Sequence, residues 1–315
     1  MISRRLIRIK VLQMLYSYFQ SKESSFYRFE QQLFFSIHKS YDLYHYLMLL
    51  LLEISEFAGL RIEAARNKNI QNAEDINPNT KFIDNRVIHQ LSINSQLKDF
   101  VKHQKLNWSS NPELIKNLFF ELQEFEPYKE YMATESKSYI ADKKIVIEIF
   151  SKFLLFSESL DATLEEQSIY WNDDIEHIVS MISKTIKQFR ADDKNFKELM
   201  PLYRDVEDEE FAKKLFRKVI LHNQEHRDLI NLFTKNWEVD RIAFIDTLIL
   251  QIAITEIIEF ESIPIRVSFN EYIELSKIYS TEKSSNFING ILDNIIKKMK
   301  KDNKFTKTGR GLLGD

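Results

Sequence analysis

Arg4, Arg5, Arg8 and Lys10 crowd cations into the first turns of what reads as a helix, and Gly290 lays the backbone bare inside another. Both arrangements suit a polyanion. Cations at a helix N-terminus are opposed by the macrodipole by a few tenths of a kcal/mol each, so some gain must offset them. Phosphate groups would supply it, because fork-shaped guanidinium donors beside exposed backbone N–H groups make an anion site suited to a nucleic-acid backbone. The bland alternative is a solvated N-terminus whose arginines aid solubility. Only five glycines occur in 315 residues, three of them in the last seven, so Gly290 is almost the only one in the folded body. Phe287, Ile291, Ile295 and Met299 recur every four residues with Ile288, Leu292 and Ile296 beside them, an apolar stripe of helical period. Gly290 lies off that stripe, on the flank of Lys283, Asn286 and Asn294, with Phe287 at the stripe's edge. A mid-helix glycine costs about 1 kcal/mol relative to alanine, so bare backbone on a polar flank points to close approach by another molecule, with RNA as the candidate. Phe287 is suited to stacking on an unpaired base and equally to closing the edge of the core stripe.

Other chemistries lack their residues. No two glycines are spaced for a dinucleotide or P-loop fingerprint, which argues against a nucleotide-dependent enzyme. His222 and His226 lie one helical turn apart, a spacing that can present two imidazoles to a metal, but the acid stands at Glu225 and not directly after the first histidine. A solvated helix surface is the better reading of that pair. Glu165-Glu166, Asp173-Asp174 and Glu209-Glu210 are adjacent in sequence and so diverge on a helix, as acids favoured at helix starts do. No serine sits in a nucleophile elbow. The expectation is no catalytic residue, no metal and no cofactor.

The chain is 44% hydrophobic with 24 Phe and 13 Tyr, ample for a large core. With zero cysteines there is neither a disulfide framework nor a thiolate site, which fits a cytoplasmic protein. The longest apolar run, residues 46–52, is far short of the roughly 20 residues a membrane span needs, so no membrane partner is expected. The net charge of −3 conceals a polarity along the chain. Residues 1–22 hold five cations and no acid, and residues 283–310 hold eight cations and two acids, so the acidic surplus sits between two basic ends. If these ends meet in the fold, they form one cationic face.

Few prolines and long runs of 3.6 periodicity predict an all-α protein. A first helix runs from about Ser3 to Gln20 and a long second one covers about 25–66, followed by a loop at 67–80. Helical stretches are expected near 84–105, 113–133, 138–168 and 173–191, then near 207–235, 240–260, 268–279 and 283–301. Ser268-Phe269-Asn270-Glu271 reads as a capping box that starts the helix after Pro264. Residues 302–315 read as a flexible basic tail.

Arg4-Arg5-Leu6-Ile7-Arg8 followed by Val11-Leu12-Gln13-Met14-Leu15-Tyr16 resembles the opening of the NusB transcription antitermination factors. A second stretch extends the resemblance: Trp237, Arg241-Ile242-Ala243, residues 248–257, residues 263–277 with Ile263-Pro264, Val267, Asn270-Glu271 and Glu274-Leu275-Ser276-Lys277, and then Phe287-Ile288-Asn289-Gly290-Ile291-Leu292-Asp293. It covers residues 1–20 and about 206–298.

The resemblance implies a multi-helix bundle of NusB type and a non-enzymatic, RNA-binding antitermination factor. Such a factor binds boxA-type single-stranded RNA together with the ribosomal protein NusE, on the RNA polymerase elongation complex, and promotes read-through in ribosomal RNA transcription. Carried over by position, the RNA contacts are Arg4, Arg5, Arg8 and Lys10 at one end and Lys283, Phe287, Asn289 and Gly290 at the other, with Tyr16 and Asp246 facing the protein partner. Lys283 stands where the family commonly has an acid, so a phosphate contact is expected in place of a carboxylate's base contact, and Tyr279-Ser280-Thr281-Glu282 replaces a turn of small residues and glycine. The implied organisation is N-terminal helices at 1–66, a helical insertion at 67–205, a C-terminal bundle at 206–301 and the tail at 302–315. A helical protein adaptor, or the NusB-like domain of an RNA methyltransferase, are the alternatives, the latter lacking its glycine-rich cofactor region here.

Overall fold

The computed structural model describes residues 1–22, 25–104, 106–193, 198–234 and 243–313; Trp237, Arg241 and Ile242 lie outside the described residues. Among those described there are fifteen α-helices and no strand, so the chain is all-α. In order they are α1 (Arg4–Gln20), α2 (Phe26–Arg66), α3 (Ala73–Ile76), α4 (Arg86–Ser92), α5 (Ser95–Gln104), α6 (Pro112–Glu124), α7 (Glu126–Ala133), α8 (Tyr139–Glu148), α9 (Glu158–Gln167) and α10 (Ile175–Gln188). α11 (Val206–Leu221), α12 (Asn223–Thr234), α13 (Phe244–Glu259), α14 (Ile265–Tyr279) and α15 (Glu282–Lys301) follow. No helix among the described residues is long and apolar enough to cross a membrane.

Several expected helices are divided, each break having a local cause. The stretch at 84–105 parts at Asn94, whose side chain accepts from the Leu97 N–H at 3.1 Å and starts α5. The stretch at 113–133 parts at Phe125, which is extended, and Pro127 then takes an early position in α7 where its missing N–H costs nothing. The stretch at 138–168 loosens into a π turn over Ile149–Phe153 before Ser157 caps α9. α11 and α12 part at His222. The loop at 67–80 holds the short α3, closed by a reciprocal capping box between Asn72 and Asp75.

The chain divides into two compact units, one of Met1–Ile2 and His38–Leu202, the other of Ser3–Ile37 and Tyr203–Asp315. They are called here the central and the terminal unit. The division falls within α2, between Ile37 and His38, and not at the loop after Arg66 where the sequence places it.

The central unit is built on the α2 residues from 38 onward, where Leu43, Tyr44, Tyr46, Leu47, Leu50 and Ile54 are all buried. Trp108 stacks on Tyr46 with ring centroids 3.9 Å apart and donates its indole N–H to the Tyr46 carbonyl at 2.9 Å, so the loop before α6 is fastened to α2. Asp142 of α8 is buried and accepts from Arg86 Nε at 3.0 Å and from the Tyr131 hydroxyl at 2.8 Å, tying α4, α7 and α8 together.

In the terminal unit two helices are buried on all sides. α13 hides every residue from Leu248 to Ile257 and α1 hides Leu6 to Leu12, the pattern of helices at the centre of a bundle. α11 packs on both of them, and α12, α14 and α15 on α13, with α14 also bonded to α1 through Arg5–Glu271 and Gln13–Tyr279. The C-terminal residues differ from the expected flexible tail. Asn303 adopts a left-handed conformation (φ 50°) just after α15, and the Lys304 N–H reaches back to the Met299 carbonyl at 3.0 Å, a helix stop that turns the chain round. Lys307 is then buried, donating at 2.9 Å to the Ile257 and Phe260 carbonyls at the end of α13. Thr308 bonds Glu261 through the backbone, and Gly311 lies so close to the Glu261 carbonyl that an added Cβ would stand 1.9 Å from its oxygen.

Gly311→Ala is therefore expected to release residues 304–313, raising their hydrogen exchange and lowering stability by about 1–3 kcal/mol. Gly59→Ala inside α2 meets open space and should raise stability in urea denaturation by about 1 kcal/mol.

Candidate nucleic-acid interface

Ser3 caps α1, accepting from the Leu6 N–H at 3.2 Å, and so places Arg4 and Arg5 in the opening turn of the helix. Each arginine finds a carboxylate on a different neighbour. Arg4 Nε donates to Asp208 Oδ1 at 2.8 Å in the first turn of α11, with Glu207 at 3.9 Å. Arg5 makes a two-pronged bond to Glu271 of α14 at 2.9 and 2.8 Å. Both guanidinium groups stay in contact with solvent, at 35% and 40% side-chain exposure. Arg8, one turn further, does not: it is 3% exposed and forks onto Glu256 of α13 at 2.7 Å through both nitrogens. Lys10 is 1% exposed. As the helices stand, Arg8 and Lys10 belong to the interior and cannot touch an RNA phosphate.

Glu256 is wholly buried, and its two oxygens also accept from the Ser268 hydroxyl at 2.6 Å and the Tyr272 hydroxyl at 2.7 Å. Burial by itself would push this carboxyl up, but the Arg8 charge and the bonds from Arg8, Ser268 and Tyr272 outweigh it and hold it below the usual range. Burial likewise opposes the charge on Arg8, and Glu256 more than compensates. The pair is ionised on both sides. Ser268 and Glu271 are thus not the capping box their spacing suggests. α14 begins three residues earlier, at Ile265, with Pro264 as its cap; the Ser268 hydroxyl is turned to Glu256 of α13 and the Glu271 carboxylate to Arg5 of α1. Asp208, Glu256, Ser268, Glu271 and Tyr272 are the site residues that sequence reasoning missed. A signal existed: Glu256 is the one carboxylate in the apolar run from Leu248 to Ile258, and Arg8 is the cation that directly precedes Val11 and Leu15 on the stripe of α1, one turn after Arg4.

α14 links this cluster to the second candidate region. On one side it meets α1 twice, through Arg5 to Glu271 and through Gln13 to the Tyr279 hydroxyl at 3.2 Å; the partners are eight residues apart on each helix, so the two run in the same direction. On its other side Ser276 donates to Ser285 of α15 at 3.0 Å. Both basic ends of the chain therefore share α14 as a neighbour in one unit. Thr281 caps α15, accepting from the Ser284 N–H at 3.2 Å. Lys283, Asn289 and Gly290 are exposed, and Phe287 is half-buried. A Cβ added at Gly290 would meet nothing within 4 Å, so no part of the described chain requires the glycine. Asp246 is 2% exposed and accepts the Ser280 hydroxyl, pinning the turn between α14 and α15 and not facing outward. Tyr16 is 43% exposed and lies 5.5 Å, centroid to centroid, from Phe244.

The NusB family model matches residues 175–297, from α10 into α15, with α1 outside the match. The transcription antitermination protein NusB of Salinibacter ruber is 41% identical over 115 residues, which cover 36% of this chain and 72% of that protein. The chain belongs to the NusB family. The NusB proteins of Chloroherpeton thalassium and Methylacidiphilum infernorum are each 40% identical, over 109 and 103 residues, covering 52% and 71% of their own lengths. No solved structure matches. The chain is longer than a typical family member, and the relatives share about a third of it.

The histidine pair lies in the region shared with the family. His222 and His226 stack at 5.8 Å, but His226 is 3% exposed and bonds the Thr255 hydroxyl at 3.2 Å, so the spacing serves packing. Burial first, then the neighbouring His222, lowers the His226 pKa from 6.5 to about 4. The folded state thus declines a proton that the unfolded chain accepts. Stability is full above pH 6.5 and falls between 6.5 and about 4 by roughly 1.4 kcal/mol per unit, a slope that His226→Gln should flatten in thermal melts across that range.

Arg8→Ala is expected to cost about 3–5 kcal/mol in chemical denaturation, because it strands the Glu256 charge in the core. Arg4→Ala, at a partly solvated pair, should cost no more than about 1 kcal/mol.

Proposed function

We propose that this chain is a non-enzymatic antitermination factor whose terminal unit binds boxA-type single-stranded RNA, with the ribosomal protein NusE as its protein partner on the RNA polymerase elongation complex. Read-through in ribosomal RNA transcription is then its role. The observation that carries this reading is the open backbone of Gly290 on the exposed flank of α15, in a chain that belongs to the NusB family.

On this reading Lys283 and Asn289 contact the RNA beside Gly290, and Phe287 supports them from the edge of the core with part of its ring in reach of a base. Arg4 and Arg5 supply phosphate contacts at the start of α1, while Arg8 and Lys10 act from inside by holding that helix in place. Tyr16 is the exposed aromatic available to NusE, and Asp246 acts through the turn it fastens.

Anisotropy of a labelled boxA-like RNA, with and without NusE, tests the reading. Affinity should weaken between about 50 and 200 mM salt, and Lys283→Ala should reduce the logarithmic salt slope by about 0.7, one phosphate contact on a single strand. Gly290→Ala should stabilise the fold by about 1 kcal/mol and yet weaken RNA binding, since a methyl group then stands where the strand approaches. Unchanged affinity in this stabilised variant, or no binding by the wild type under any of these conditions, removes the proposal.

A further inference from the structure

Arg4 and Arg5 are the exposed members of the α1 cluster, and both guanidinium groups already have anions on them. Arg5 is held by Glu271 in a parallel two-bond fork, the same geometry that a phosphate would use. Arg4 is held by Asp208, whose second oxygen lies 3.4 Å from the Arg204 N–H and whose own backbone N–H is capped by Asp205 at 3.2 Å. The two carboxylates come from different helices, α11 and α14, and reach successive residues of α1. Asp208 is 8% and Glu271 19% exposed at the side chain, so each is a fixed group on a packed helix and not a mobile surface acid.

We propose that Asp208 and Glu271 are specificity-determining residues, phosphate stand-ins that reserve Arg4 and Arg5 for a ligand able to displace both carboxylates together. The inference rests on the RNA reading given above. A single phosphate gains one guanidinium by breaking one ion pair of equal geometry, so it has little net reason to bind. A continuous phosphodiester strand displaces the two in one event, and once the first contact is made the second is intramolecular. The carboxylates therefore set a threshold in chain length. They also act against acidic proteins and mononucleotides, which bring isolated charges. Neither carboxylate is needed to complete the buried cluster: Glu256 alone takes both prongs of Arg8, with Glu271 at 3.7 Å from the remaining nitrogen.

Glu271→Gln and Asp208→Asn keep the side-chain shapes and remove the competing charge. In the full-length protein each should raise affinity for a labelled twelve-nucleotide boxA-like RNA about threefold to tenfold at low salt, and the gain at Glu271→Gln should vanish when Arg5→Ala is added. Inorganic phosphate at millimolar concentration should compete with RNA in Glu271→Gln and not in the wild type. Thermal melts confirm that each variant is folded, and the two single variants report independently. If the wild type binds RNA in a salt-dependent way and both variants bind no better, the threshold is wrong and the RNA reading stands. A gain that survives Arg5→Ala also overturns it. If neither wild type nor variants bind, the RNA reading itself has failed.

Discussion

Four donors converge on one buried carboxylate, and the arrangement of the terminal unit follows from that meeting. Glu256 Oε1 accepts from Arg8 and Ser268, and Oε2 from Arg8 and Tyr272, so the usual acceptor positions of a carboxylate are all filled. Arg8 belongs to α1, Glu256 to α13, and Ser268 and Tyr272 to α14. A buried ion pair is a weak source of net stability, because the cost of desolvating two charges nearly cancels their attraction. Its influence is on arrangement. Sliding α1 by one residue along α13 would leave a charge in the apolar core without partners, an error of several kcal/mol, whereas the surrounding Ile and Leu contacts would tolerate it better. The pair therefore selects one register among packings that hydrophobic burial alone ranks closely.

That register decides which cations meet water. With Arg8 turned inward, residues 4 and 5 fall on either side of the α1 start, one toward α11 and the other toward α14. The same-direction run of α1 and α14, marked by Arg5 with Glu271 and Gln13 with Tyr279, sets the exit of α14 beside the later turns of α1. Asp246 then holds Ser280, and α15 starts from Thr281 with Gly290 on its solvent side. The exposed flank of α15 is thus reached from the buried pair through a short chain of bonded contacts, all within one unit.

Helix class, the two long N-terminal helices and the apolar stripe of α15 were legible because periodicity reports burial directly. Helix ends were harder. Phe125, Asn94 and His222 each interrupt a run that remains amphipathic on both sides, so the stripe continues through the break and hides it. The basic cluster was visible as a composition, but its division into interior and surface members was not. Arg8 stands on the apolar stripe of its helix, and that placement could have been read as a demand for a buried acid; Glu256, alone in an apolar run, makes the same demand from the other side. Long-range pairing of the two requires knowing that α1 and α13 touch. The Ser268 and Glu271 spacing misled for a related reason, since a pattern that closes a helix start locally serves equally well to reach another helix. The C-terminal segment reads as a polar tail because its anchors are a lysine seeking carbonyls and a glycine seeking close approach, neither of which leaves a periodic mark.

The charge balance constrains how any polyanion can be recognised. Residues 38–202 carry 20 Lys and Arg against 26 Asp and Glu, a net of −6, so the whole-chain value of −3 leaves the terminal unit at +3. Beyond a Debye length of about 10 Å at 0.1 M salt these charges are largely screened, and a net of +3 on the terminal unit draws a polyanion only weakly against the −6 of the central one. Long-range steering therefore cannot be the source of affinity. Recognition must come from short-range groups, the ones that lie against the strand, where a few cations, open backbone and a partly exposed ring outweigh the net sign of the protein. On the RNA reading proposed above, the net negative charge of the chain works against nonspecific association with polyanions and leaves affinity to the contact residues.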